Sequence, residues 1–212
     1  MLRRWFAVLG LLLACALPAR AEVTIDFYSH KLAIAQGPGA ATYFPHGFVL
    51  LSGEAPDGAP VKANFGFTAR NIFINVLWEK IEGELDPTPL PGGYVEGAVH
   101  HFSLALSDAQ YRAVLAVADK WKNWPQPSYD IDEHNCVLFV KDLAAAAGLS
   151  VSDDKKFIHA PGDFLDDVAA RNAAFLTAHG TVYRGSAPDG DPAALERRVK
   201  QLENDARRKA AN

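Results

Sequence analysis

Cysteine is scarce in this sequence: its 212 residues contain only two, Cys15 and Cys136. Cys15 lies in an N-terminal segment that we expect to be removed, which leaves a single thiol. One cysteine cannot form an internal disulfide, and an oxidising compartment threatens an unpaired thiol that has no structural use. The scarcity therefore argues against a disulfide-stabilised fold and favours a functional role for Cys136.

The sequence also lacks an excess of positive charge and, beyond its N-terminus, long apolar runs. The formal net charge is −4, and no basic stripe occurs outside the C-terminal tail, which argues against a nucleic-acid partner. After the N-terminal segment no apolar run approaches the ~20 residues that a transmembrane helix needs. The remaining chain is long enough for one domain with a sizeable core.

The N-terminus has the features of a secretory signal peptide. Residues 1–21 have two arginines near their start, Arg3 and Arg4, then an apolar stretch from Trp5 to Leu17, and a small-x-small motif that ends at Ala21. We expect cleavage after Ala21 and export to the periplasm or the medium. An alternative is that residues 12–15 form a lipobox, in which case Cys15 is lipidated and anchors the protein to a membrane.

The next part of the chain reads as a series of strands. We predict a short edge strand or extended arm from Glu22 to Leu32, and a β-hairpin from strands at His46–Gly53 and Val61–Thr68. The short apolar run at residues 72–80 fits either a helix or a strand by its hydrophobic period, and we favour a strand there. After a loop rich in proline and glycine, residues 94–106 resemble a further strand.

Helices dominate the second half. Ser107 is a candidate N-cap for a helix that ends before Pro125, a second helix starts at Cys136, and a third spans 161–176. A last strand is expected at 181–183. We predict one α+β domain over residues 22–187 and a charged, helical C-terminal tail at 188–212, which is a candidate contact for a protein partner.

Cys136 is placed where a nucleophile would be useful. The apolar residues that follow it recur at helical spacing until Gly148, so Cys136 falls in the first turn of a helix. Free backbone N–H groups and the positive end of the helix dipole favour the thiolate there, which is the reactive form. The alternative is that Cys136 is a small buried apolar residue in a core helix.

A thiol nucleophile needs a base and a third polar group that orients the base. Of the seven histidines, His46 is the best candidate for the base, because it begins a buried strand and its neighbour Gly47 leaves room for a helix end. The paired strand of the hairpin carries Asn64, our choice for the orienting residue, with Thr68 as the substitute.

A metal site built from His100, His101, Asp132 and His134 is a weaker idea. Adjacent histidines on a strand point to opposite faces, so both cannot ligate one ion from one face. The expected chemistry needs neither a metal nor a cofactor.

These residues together resemble the permuted NlpC-type papain-like hydrolases and their relatives, the lecithin retinol acyltransferase group. That group carries an Asn-Cys signature followed by Phe-Val, which this chain matches at Asn135-Cys136 and Phe139-Val140 and departs from at the middle pair. Tyr129-Asp130 resembles a Tyr-Asp pair before the cysteine, and His46-Gly47 resembles the start of the histidine strand. The histidine strand precedes the cysteine helix in both, and the resemblance spans residues 42–149.

The resemblance implies a circularly permuted papain-like fold with an antiparallel sheet packed against the cysteine-bearing helix. It implies Cys136 as the nucleophile, His46 as the base and Asn64 as the orienting residue. The N–H of Cys136 would stabilise the oxyanion, with Asn135 or Tyr129 as the second donor.

Three functions remain open at this point. The first is an exported amidase or peptidase that acts on cell-wall peptide, and the second is a lipid-directed thiol esterase or acyltransferase. The lipid hypothesis relies on the Asn-Cys-x-x-Phe-Val match and on aromatic residues near the site, which are alternatively core residues: Phe44, Phe48, Phe65, Phe67 and Trp78. The third is a non-catalytic domain of the same fold that binds a peptide or a partner protein, through its C-terminal helix for example.

Overall fold

The computed structural model describes residues 23–34, 43–71, 74–90 and 94–179. In these ranges the strands are β1 (Val23–Ile34), β2 (Tyr43–Glu54), β3 (Pro60–Ala69), β4 (Gly83–Leu85) and β5 (Val99–Leu106), and the helices are α1 (Asp108–Lys122), α2 (Cys136–Ala146), α3 (Pro161–Arg171) and α4 (Ala173–Ala178). The expected signal peptide, the strand at 181–183 and the tail at 188–212 lie outside the described residues.

The five strands form one antiparallel sheet in the order β4-β3-β2-β1-β5. Helix α2, which begins at Cys136, packs against β2 and β3, and α3 packs against β1 and β5. The prediction of an α+β fold with an antiparallel sheet is confirmed. The sheet and α2 together position the residues discussed below.

Strand β1 differs from its prediction as an edge strand or extended arm. It lies inside the sheet, where β2 and β5 pair with its two sides. Its alternate residues Ile25 and Phe27 are fully buried, with one face of the strand on the hydrophobic core. The alternation is visible in the sequence, but the pairing on both sides depends on β5, which lies about seventy residues later.

The hairpin prediction is confirmed. Strands β2 and β3 pair from Phe48 opposite Gly66 to Glu54 opposite Pro60. Their core-facing residues include Val49 and Leu51, which are almost fully buried. This register decides which residues of β3 can approach His46.

The strand that we favoured at residues 72–80 is wrong where the structure describes it. Residues Ile74–Leu77 form a 3-10 turn, in which the Asn75 carbonyl accepts from the N–H groups of Trp78 and Glu79. The Asn75 side chain also bonds Glu79, so local turn contacts prevail over the apolar run. The strand lies slightly later, at β4, whose three residues are too short to show a period.

The helix predictions hold with one change. A capping box between Ser107 and Gln110 starts α1, and Gly148, with a φ of 85°, follows the end of α2. The helix predicted over 161–176 is divided at Asn172, whose side chain bonds the backbone of Ser150. None of the described helices is long and apolar enough to cross a lipid bilayer.

Candidate active site

Cys136 is the first residue of α2, and Asn135 caps that helix. The side-chain oxygen Oδ1 of Asn135 accepts from the backbone N–H groups of Val137 at 2.9 Å and Leu138 at 3.1 Å. Its amide nitrogen donates to the carbonyls of Ile131 and Ile158. Because these bonds use both amide hydrogens, Asn135 supports the site by holding the helix start and is not available as the second oxyanion donor.

The thiol of Cys136 meets the beginning of strand β2. The residue is 4% exposed, and its Sγ lies 3.8 Å from the carbonyl oxygen of Pro45. A hydrogen bond between the side chains of Cys136 and His46 is among the causes that raise the pKa of His46. The structure therefore brings together the expected nucleophile and the expected base.

His46 is buried and is paired with Asp86. Its Nε2 lies 2.8 Å from Oδ2 of Asp86, and the two side chains are 8% and 6% exposed. Since one ring nitrogen is taken by the carboxylate, Nδ1 is left to face the thiol. A thiol, an imidazole and a carboxylate thus follow one another as in the catalytic triads of hydrolases.

The charges of this group favour a protonated imidazole. Burial, the largest single effect, lowers the pKa of His46. The charge and hydrogen bond of Asp86, followed by the hydrogen bond and charge of Cys136, outweigh burial and raise that pKa to about 10. At neutral pH the ring is therefore an imidazolium, which the charge of Asp86 stabilises.

Gly66 makes room for the pair. A Cβ at this position of β3 would lie 2.0 Å from Oδ2 of Asp86 and 2.7 Å from Nε2 of His46. Neither distance is compatible with a side chain. Gly66 is thus a steric condition for the His46–Asp86 contact, although the sequence marks it only as one residue on the Asn64 face.

Gly47 makes room on the helix side, as predicted. A Cβ there would lie 3.2 Å from Cβ of Pro161 in α3 and 3.4 Å from Cγ2 of Val140 in α2. The carbonyl of Cys136 is 4.0 Å from the same point. The small residue after His46 therefore lets the start of α2 approach the strand that carries the base.

The side chain that pairs with the His46 ring is Asp86, and the expectation of Asn64 at that position is corrected. In the β2–β3 register Asn64 lies opposite Leu50, four positions along β2 from His46, a displacement of about 13 Å along a strand. Its amide donates instead to the carbonyl of Pro87 at 3.0 Å. The role of Asp86 was not predicted, because Asp86 follows β4 at the start of a segment whose prolines indicate a loop.

Tyr129, expected as a supporting residue, lies near the thiol. Its backbone pairs with Ile81 through two hydrogen bonds of 2.9 Å, and its ring stacks on Phe67. Burial raises the pKa of Tyr129, and the negative charge of Cys136 is the next cause. The phenol therefore keeps its proton, and its O–H remains a hydrogen-bond donor.

Two further residues near the site were missed from the sequence. His30 lies opposite His46 in the β1–β2 pairing, and burial lowers its pKa, with the charge of His46 acting in the same direction. Tyr94 contacts the His30 ring edge-on at 4.4 Å between centroids. Burial raises the pKa of Tyr94, followed by the charges of Asp86 and Cys136. Only the fold, through β1 and the turn before β5, places His30 opposite His46 and Tyr94 against His30.

The remaining histidines that we considered have separate partners. His101 contacts Ser29 and Asp166 at 2.8 Å each, and the ring of His134 donates to the carbonyl of Ser128. Asp132 contacts His159 at 2.8 Å. Among the described residues no group of three histidine, cysteine or acidic side chains is arranged to hold a metal ion.

Comparisons with models of protein families, with characterised proteins and with solved structures found no match to this chain.

Proposed function

We propose that this protein is a cysteine hydrolase that cleaves amide bonds in peptides through Cys136, His46 and Asp86. One observation carries the proposal: a buried His46–Asp86 pair, with 2.8 Å between Nε2 and Oδ2, faces a thiol at the start of a helix. Structural ion pairs also perturb histidines, but here the pair adjoins a cysteine at a helix N-terminus, a position that favours a reactive thiol.

The mechanism follows from the position of each group. The Cys136 thiolate attacks the carbonyl carbon of the amide, and the carbonyl oxygen becomes an oxyanion. The N–H of Cys136 and the hydroxyl of Tyr129 are suited to donate to that oxygen. The His46 imidazolium then gives its proton to the leaving amine as the C–N bond breaks, which leaves a thioester on Cys136.

Water completes the cycle. Neutral His46 takes a proton from water, the resulting hydroxide attacks the thioester, and the free acid leaves as the thiolate is restored. Asp86 stabilises the imidazolium and fixes the ring orientation throughout. Asn135 acts only through the helix start that it caps.

The fold proposed for this site is the circularly permuted papain-like one. The chain order supports it, since His46 on β2 precedes Cys136 on α2. The antiparallel sheet that packs against the cysteine helix supports it as well. Export forms part of the proposal through residues 1–21, and an exported amidase would meet cell-wall peptide.

The lipid-directed alternative receives less support from the aromatic residues. Phe48 and Phe67 are buried in the protein, at 0% and 1% exposure, and Trp78 is 65% exposed. The two buried phenylalanines are core residues and do not line an open acyl channel, and Trp78 lies on the surface. A non-catalytic binding domain of the same fold is separated from the hydrolase by the experiment below.

The decisive experiment is the rate of Cys136 alkylation by iodoacetamide between pH 5 and pH 10, in a chain with Cys15→Ser so that one thiol reports. We expect the folded protein to react at pH 6, where an ordinary thiol is almost entirely protonated. We expect His46→Ala to slow that reaction about tenfold or more. A thiol that reacts only after unfolding in urea would contradict the proposal.

A further inference from the structure

The outer edge of strand β4 has an ordered pattern of backbone groups. The Asp86 N–H donates to the carbonyl of Gly66 in β3, and the Glu82 carbonyl accepts from the N–H of Arg70, the residue after β3. In an antiparallel pair, residues that bond the neighbouring strand alternate with residues that do not. The N–H and C=O groups of Ile81, Gly83 and Leu85 therefore point away from β3, towards the side of the sheet where β4 is the last strand.

Two of these three outward positions are already paired. Ile81 exchanges two backbone hydrogen bonds with Tyr129. The side-chain amide of Gln126 bonds Gly83 as the backbone of a neighbouring strand would. Its oxygen accepts from the Gly83 N–H at 3.0 Å, and its nitrogen donates to the Gly83 carbonyl at 2.9 Å. Leu85 is next in the series. In the described part of the chain no group bonds its outward N–H or C=O.

An open groove lies directly beside Leu85. It encloses about 630 Å³ between β4 and α1, and Leu85, Gln126 and Lys122 are among the residues that line it. Asp86 and Asn64 line the same groove, so it extends towards the carboxylate that pairs with His46. Thr88 forms part of its rim.

We propose that this groove binds an extended peptide, which adds to β4 as a further strand at Leu85. The β4 edge itself indicates a peptide. Its two preceding outward positions are paired with the backbone of Tyr129 and with the side-chain amide of Gln126, which has the same donor and acceptor groups as a backbone. A peptide supplies the N–H and C=O that Leu85 needs in the same repeat.

This inference rests on the proposed function and names its substrate class. An added strand would lie three strand spacings, or about 14 Å, from β2, the strand that carries His46. An extended chain covers that distance in about four residues. The groove therefore holds a segment about four residues from the scissile bond, so that blocked dipeptides should be poor substrates.

The test measures binding without cleavage, by amide hydrogen exchange and NMR shifts in a Cys136→Ala protein. The probe is a pool of blocked hexapeptides randomised at every position, and the matched control is the same pool with every backbone amide N-methylated. We expect fast exchange of the Leu85 N–H in the free protein and about fivefold slower exchange with the first pool only.

Two variants locate the binding. Leu85→Pro removes an N–H that points away from the sheet, a change that an edge strand tolerates, and Lys122→Trp fills the groove from the surface of α1. We expect each to weaken binding of the first pool about fivefold or more, read from the Thr88 amide shift. Circular dichroism checks that both variants are folded.

Three results would overturn the inference. A Leu85 N–H protected before any peptide is added would mean that the protein's own chain covers the edge. Equal protection by the N-methylated pool, or binding that survives both variants, would exclude strand addition. Failure of the proposed hydrolase is separate, since it would appear as an unreactive Cys136 while peptide still protects Leu85.

Discussion

The amide of Asn64 donates to the carbonyl of Pro87 at 3.0 Å, and Pro87 follows the carboxylate that holds His46. Asn64 therefore affects the site indirectly, because it holds the segment that carries Asp86. The distinction is measurable. Loss of Asn64 should loosen the position of Asp86, whereas loss of the Asp86 charge should change the protonation of His46 itself.

The first prediction concerns Asp86→Asn. Because the Asp86 charge helps to raise the pKa of His46, we expect that pKa to fall and peptide hydrolysis at pH 7 to drop about 100-fold. The measurement is kcat/KM against pH, with Asn64→Ala as the matched control. The control should lose less activity and keep the wild-type pH profile. Equal losses with unchanged profiles would show that the Asp86 charge is unimportant.

The second prediction concerns Gly66→Ala. Its Cβ would overlap with Oδ2 of Asp86, so the pair must separate although both residues remain. We expect alkylation of Cys136 at pH 6 to slow about tenfold and the free energy of unfolding to fall by about 1–3 kcal/mol. Gly162→Ala is the control, because its Cβ would meet only the Ser29 hydroxyl, at 3.3 Å. Wild-type reactivity in Gly66→Ala would contradict the steric role.

The third prediction concerns the pH dependence of stability. The pKa of His46 is raised in the folded protein to about 10, from about 6.5 when unfolded. The folded state therefore binds the proton more tightly. The stability that results is complete below pH 6.5 and is lost as pH rises towards 10.

Urea unfolding of the wild type and of His46→Gln at pH 6, 8 and 10 tests this. The stability advantage of the wild type should be largest at pH 6 and should shrink steadily at the two higher values. An advantage that is constant, or that grows with pH, would mean that His46 is neutral in the folded protein.

The fourth prediction compares two tyrosines. The charge of Cys136 is the first electrostatic cause of the raised pKa of Tyr129, whereas for Tyr94 it comes after Asp86. We therefore expect Tyr129→Phe to lower kcat on an amide substrate by about 100-fold with little change in KM. Tyr94→Phe, the matched control, should have the smaller effect on kcat. The reverse order would assign the oxyanion donor to Tyr94.

The fifth prediction concerns the helix cap. Asn135→Ala leaves two N–H groups and two carbonyls without their partner, and we expect a loss of about 2–3 kcal/mol in the free energy of unfolding. Asn135→Asp keeps the acceptor for Val137 and Leu138 but removes both donors, so its loss should be intermediate. Urea unfolding measures both. If the alanine variant lowers the free energy of unfolding by less than about 0.5 kcal/mol, the Asn135 cap does not stabilise the helix start as described.

Local signals predicted much of this fold. The helix beginning at Cys136 and the small residue after His46 depend on neighbours in sequence, and the structure has both. Asp86 could not be predicted, because it follows a strand of three residues that exists only through pairing with β3. His30 and Tyr94 were missed for a related reason, since pairing across the sheet and the turn before β5 bring them to His46.

The burial of Cys136 has a consequence for the export that we propose. The residue is 4% exposed, which leaves no room for the cysteine of another folded molecule to approach its sulfur. A disulfide needs the two sulfurs at about 2 Å, so two native copies cannot be joined through Cys136. The same packing that gives the thiol its base thus guards it against crosslinking in an oxidising environment.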